Sequence, residues 1–172
     1  MVRGRCSLKP LINFLTLSLL LFAASSCEDT IVESPVPVYN VRYSCNISTI
    51  NASLGQSDLP NLDSQPGVVL VNQYLNASDV IGVCGLLLYH SAMEDSYYAF
   101  DLACPYCYRQ NHTTALGLKD IFTAQCPKCQ SEFGAIQYGS PAPTAGPANE
   151  ENLLLRQYKA RLSSYSVLTV SR

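Results

Sequence analysis

Two short cysteine hooks carry the chemistry this sequence offers. Cys104-Pro105-Tyr106-Cys107 and Cys126-Pro127-Lys128-Cys129 are separated by eighteen residues, the two-knuckle spacing of a four-cysteine metal site. In each hook the proline fixes φ near the value that the second position of a tight turn requires, so both thiolates of a hook can face one ion. Zinc takes four cysteines tetrahedrally in closed structural sites, and its binding would tie two long loops together. Iron, alone or as a 2Fe-2S cluster, accepts the same ligands and is placed second.

The same thiols allow other chemistries. In an oxidising compartment they could form disulfides, and bridges between the hooks would hold more of the fold than bridges within them. Cys-Pro-Tyr-Cys also occurs as the redox motif of glutaredoxins, which makes a thiol-disulfide oxidoreductase the third reading. That motif needs a helix behind its first cysteine and a βαβ context, whereas Tyr108 to His112 carries no amphipathic pattern. Cys45 and Cys84 fall in separate predicted strands and are either a disulfide or two buried thiols. His112 lies five residues past Cys107 and reads as an exposed loop residue, and His90 as a surface residue at a strand end. Neither has the serine or acidic neighbours of a hydrolytic site, so no catalytic residue is assigned. Arg109, Lys119 and Lys128 lie near the hooks and could offset tetrathiolate charge. Tyr89, Tyr97 and Tyr98 line a binding face or pack within the sheet.

The elements that must position the hooks are short. Val38 to Cys45 reads as a strand continuing towards Ile47 and Ile50, Val68 to Val71 as a buried strand, and Val83 to Tyr89 as another, with Gly85 marking a close backbone approach. Tyr97 to Ala103 delivers the chain to Cys104, Phe122 to Ala124 delivers it to Cys126, and Ser131 to Tyr138 leaves again. Leu153 to Val170 reads as a closing hairpin, with a helix over Leu153 to Leu162 as the alternative. Many short strands and no long periodic helix predict an all-β sandwich or barrel.

The chain has 172 residues, and its first 26 read as an address. Arg3, Arg5 and Lys9 precede an apolar run, Leu11 to Ala24, too short to span a bilayer, and Ala24-Ser25-Ser26 leads into Cys27. This resembles the lipobox of bacterial lipoproteins, which implies cleavage before Cys27, its lipidation, and a place in the cell envelope, with plain secretion as the alternative. Glu28 and Asp29 resemble the export tag of surface lipoproteins in Bacteroides-like bacteria. The leader takes three of the eleven basic residues and none of the thirteen acidic ones. The remainder is acidic, which argues against nucleic acid as partner and leaves the lipid anchor and an envelope protein. Residues 27–37 read as a polar tether and 38–172 as one domain with metal loops at 101–112 and 123–134. Four Asn-x-Ser/Thr sequons, at Asn46, Asn51, Asn76 and Asn111, would be surface glycan acceptors in a eukaryotic host.

The order of parts resembles the Rieske iron-sulfur fold. The matching stretches are Gly82 to Tyr89, Tyr98-Ala99-Phe100-Asp101-Leu102-Ala103-Cys104-Pro105, Cys126-Pro127-Lys128-Cys129, Gly139-Ser140-Pro141 with Gly146-Pro147-Ala148, and Leu155 to Tyr158. The resemblance implies a Rieske-like β-sandwich or barrel carrying a zinc-ribbon-like (rubredoxin-like) metal subdomain. A Rieske centre has histidine as the second ligand of each loop. Here Cys107 and Cys129 stand in those places, and the first spacing is one residue longer, so the likeness supports the fold more than the cofactor. These features together predict a non-enzymatic domain.

Overall fold

The computed structural model describes residues 33–172. The leader at 1–26 and Cys27 lie outside the described residues. In chain order the elements are β1 (Arg42–Asn46), α1 (Ile50–Ser53), β2 (Gly67–Val71), β3 (Leu86–His90), β4 (Tyr97–Asp101), α2 (Pro105–Arg109), β5 (Gly117–Asp120), β6 (Thr123–Gln125), β7 (Glu132–Phe133), a 3-10 turn (Ile136–Tyr138), α3 (Pro147–Glu150), β8 (Gln157–Leu162) and β9 (Val167–Ser171). Six strands form one antiparallel sheet, a half-barrel in the order β1-β9-β8-β4-β3-β2, and β5-β6-β7 form a second. The all-β expectation holds in part: the described residues are mostly β, with the short helices α1 to α3 beside the strands. No helix among the described residues is long and apolar enough to cross a membrane.

The two faces of β2, β3 and β4 feed two different cores. Val69, Val71, Leu86, Leu88 and Ala99 pack with Tyr43, Cys45, Leu168 and Val170 inside the half-barrel. Val68, Leu87, Tyr89, Phe100 and Leu102 point the other way, onto Cys104, Cys107, Cys126, Phe133 and Leu153. Burial on both faces explains why β2 and β3 read as continuous apolar runs rather than alternating ones. The second core joins the cysteine loops to the sheet.

Several boundaries differ from expectation. β1 stops at Asn46; Ile47 and Ile50 are buried from a turn and from α1 instead. β3 begins at Leu86, because Val83 to Gly85 turns around a buried carboxylate described below. Gly85 does mark a close approach: at φ +113 any Cβ there would strike the Val71 carbonyl. The closing hairpin is β8-β9, with Leu153 to Leu155 packing as loop. His90 is buried, not superficial, since β3 is covered at all five positions; its ring stacks on Tyr97 with centroids 4.1 Å apart, and Nε2 lies 3.1 Å from Asp95 Oδ1. Tyr89 is fully buried as well, which removes it from any binding face. Asn51 is no surface acceptor: its buried amide donates to the Pro60 and Val68 carbonyls.

The tether is docked over its described part. Ser34 and Val36 are buried, and the Arg156 guanidinium donates to the carbonyls of both, at 2.8 Å each. These residues precede Pro35 and Pro37, whose rings disfavour the helical region for each of them.

Candidate metal centre

Each hook is presented by a different device. Hook one rides on α2: Cys104 is its N-cap, Pro105 its first residue, and Cys107 follows three positions on, on the same face. The chain then folds back, so that Leu116 N–H donates to the Leu102 carbonyl at 2.8 Å and Cys104 N–H to the Thr114 carbonyl at 2.9 Å. Hook two is the turn of the β6-β7 hairpin, where Ala124 pairs with Phe133 and Gln125 with Glu132. Cys126 N–H donates to the Ser131 carbonyl at 2.9 Å, and Gln130 takes the left-handed conformation that closes the turn.

The hooks meet. The Sγ atoms of Cys104, Cys107, Cys126 and Cys129 all lie within 4.8 Å of one another, and this group could hold a metal ion. The closest pairs cross between hooks: Cys104 to Cys129 at 3.5 Å and Cys107 to Cys126 at 3.6 Å. Both separations far exceed a disulfide bond of about 2.05 Å. Cys104 and Cys126 are fully buried and Cys129 is partly open to solvent.

The surroundings set the thiols apart. Burial pushes the Cys104 thiol strongly up, against a main-chain hydrogen bond from Cys107 that favours its thiolate. Cys107 is pushed up to about 11 by burial and by hydrogen bonding to Cys126, partly offset by the Thr114 hydroxyl. Burial pushes Cys129 up, but hydrogen bonds from the Ser131 hydroxyl and main chain, together with those from Cys104 and Cys126, outweigh it and bring this thiol down. Ser131 is buried, its Oγ 3.1 Å from Cys129 Sγ, and it accepts the Ala148 N–H at 2.9 Å. With its oxygen so occupied, the hydroxyl proton is free to point at a Cys129 thiolate. The loop from Gly139 to Ala148 thereby backs the second hook, through Glu132 N–H to the Ala145 carbonyl at 3.0 Å as well.

Asp101 anchors the approach to hook one. Its buried carboxylate accepts from Val83 N–H (2.9 Å), Cys84 N–H (3.3 Å), Ala103 N–H (2.9 Å) and Tyr158 Oη (3.1 Å). Gly82, at φ +82, leaves the room: a Cβ there would overlap the Asp101 carboxylate.

Other expected participants stand apart. Arg109 pairs with Glu151, and Lys119 Nζ lies 2.7 Å from Glu132 Oε1, so two of the three nearby cations are already matched by acids. His112 is exposed and outside the cluster. Cys45 and Cys84 are unbridged, because they pack in different cores; burial pushes Cys45 up to about 12 and Cys84 up to about 11. A short helix does stand behind Cys104, contrary to the sequence reading, but it has only five residues, and Cys104 at its N-cap is a buried thiol pushed up rather than activated. Spacing did not reveal Ser131, Asp101, Thr114 or Arg156. A hydroxyl two places after a hook and a lone carboxylate ending an apolar strand were the available signals.

Fold and site define a mostly-β protein with a four-cysteine cluster suited to a metal ion. In comparisons with known proteins, no family model, no curated protein and no solved structure matches the chain.

Proposed function

We propose that this chain is an exported, lipid-anchored domain of Rieske-like architecture whose four cysteines hold one zinc ion as a structural, redox-silent centre. The observation that carries the metal reading is the mutual distance of the sulfurs, all within 4.8 Å. Four sulfurs placed tetrahedrally at the usual zinc–sulfur distance of about 2.3 Å lie about 3.8 Å apart. The pairs at 3.5 and 3.6 Å fit that spacing. A two-iron cluster divides its thiolates between two metals and spreads the pairs. Bound zinc would supply positive charge that keeps the sulfurs as thiolates and cross-links both hooks, with no redox chemistry of its own.

The Rieske-like assignment rests on the resemblance between Tyr98 and Ala148, and it is supported by two placements. β4 runs directly into hook one, and the Gly139 to Ala148 loop packs against hook two. Export and anchoring rest on the leader and Cys27. Metal analysis and absorbance of the protein purified from its native host test the centre. One zinc per chain in a colourless protein is expected. Iron, with visible absorbance that dithionite bleaches reversibly, would replace this reading by an electron carrier, and four oxidised thiols without metal would end both.

A further inference from the structure

The four sulfurs pair off across the hooks. Cys104 lies 3.5 Å from Cys129 and Cys107 3.6 Å from Cys126, so each thiol has a close partner on the other loop. Hook one presents its pair from the start of α2, and hook two brings its pair across them from the β6-β7 turn. The thiols also differ in access. Cys104, Cys107 and Cys126 are at most 2 % exposed, whereas Cys129 is partly open to solvent. An accessible thiol beside a buried partner is the arrangement in which one cysteine takes up an oxidant and the other resolves it. Neither remaining cysteine of the described residues competes: Cys45 packs in the other core, and Cys84 lies outside the cluster.

We infer that the cluster is a redox-gated metal site: a peroxide that reaches Cys129 closes a disulfide from Cys129 to Cys104, and the metal leaves while sulfur keeps the hooks tied. This rests on the metal reading proposed above. The electrons come from the thiolates, and zinc itself stays redox-silent.

The Cys129 sulfur attacks one oxygen of hydrogen peroxide. The O–O bond breaks, leaving a sulfenic acid on Cys129 and a hydroxide that takes a proton to become water. The Cys104 sulfur, 3.5 Å away, then attacks the Cys129 sulfur. The S–S bond forms, the S–O bond breaks, and the departing hydroxide is protonated to a second water. Two thiolates have given up two electrons, and one peroxide with two protons has become two waters. A site that needs four thiolates keeps only Cys107 and Cys126, and its hold on the ion is lost. Those two sulfurs, 3.6 Å apart, can close in the same way with a second peroxide. A bridge within a hook would leave the loops untied. A bridge across the hooks takes over the link between α2 and the β6-β7 turn that the metal had supplied.

The full chain is loaded with zinc under reducing conditions, freed of reductant and treated with hydrogen peroxide. A chromophoric chelator follows the released ion, and peptide mapping after acid quenching follows the bridges. Release of the bound zinc is expected together with a peptide pair linked through Cys104 and Cys129, and dithiothreitol should restore zinc binding. Amide exchange should find α2 and β5-β7 protected in the oxidised, zinc-free chain, in contrast to the reduced chain stripped by chelation. Cys84→Ser, which removes the other partly exposed thiol, should release zinc at the parent rate. A chain that takes up no zinc would refute the metal centre and this gate with it. Zinc retained under peroxide, bridges formed within the hooks, sulfinic acid on Cys129 without a bridge, unprotected α2 in the oxidised chain, or slower release in Cys84→Ser would each overturn the gate and leave the metal centre standing.

Discussion

Ser131 joins two things that would otherwise be independent, the fourth thiol and the loop behind it. Its oxygen accepts the Ala148 N–H and the Cys129 thiol, and once Cys129 is a thiolate the hydroxyl can turn to donate to it. Replacing Ser131 by alanine orphans a buried N–H and removes the donor that stabilises the thiolate. Metal affinity is expected to fall about 10- to 100-fold, the usual effect of losing a partner of a metal ligand, measured by competition with a chromophoric chelator. Asp101→Asn keeps the shape but sets an amide against N–H donors, and should cost about 1.5–3 kcal/mol in urea unfolding. Cys45 gives a pH test away from the four-cysteine cluster. Burial, then repulsion from Asp79, raises its thiol from 9.0 to about 12, so the unfolded chain releases this proton first. The contribution is fully present below the unfolded value near 9 and is lost as pH rises towards about 12. Cys45→Val should flatten that alkaline fall in the urea midpoint; an unchanged slope would mean the thiol is not buried as described. The four clustered cysteines were legible because cysteine spacing is a local signal. Ser131 and Asp101 were not, because their roles depend on which distant main chain, Ala148 or Val83, comes to meet them.

At the scale of elements, the two faces of β2-β3-β4 divide the molecule's stability. One core contains Cys104, Cys107 and Cys126, and the other contains none of the four ligands. Chelation should therefore expose α2 and β5-β7 to hydrogen exchange while β1, β8 and β9 remain protected, because local opening follows the contacts that are lost. Simultaneous loss of protection in all strands would show that the two cores melt as one. Strands such as Gly67–Val71 and Leu86–His90 were legible from their apolar runs. The helices at Ile50 and Pro105 have four and five residues, too few for any periodicity to appear. The β1 expectation overshot because Ile47 and Ile50 are apolar for the core's sake, not the strand's.

At the scale of the whole molecule, the segment before β1 is where the sequence was least informative. Polar residues and two prolines read as a free spacer, yet Val36 is fully buried and Arg156 holds the carbonyls ahead of both prolines, with Glu33 Oε1 3.3 Å from its second amino group. The prolines fix the direction of those carbonyls, and a side chain over a hundred residues away supplies the donors, which no local pattern can announce. The proposed lipid anchor is tested by Cys27→Ala, which on that reading should release the chain from membranes in soluble form. The docking is tested by Arg156→Ala. A guanidinium fork reaches two carbonyls at once, so its loss frees a segment held by charge-assisted hydrogen bonds of about 1.5–3 kcal/mol each. Cleavage after Glu33 by a glutamate-specific protease should accelerate, with the melting of the sheet little changed because the Arg156 main-chain carbonyl still accepts from Asp101. Arg156→Lys should not restore protection, since a single ammonium lacks the planar pair of donors. Equal cleavage rates in parent and alanine variant would mean that apolar burial of Val36, rather than the arginine, holds the segment in place.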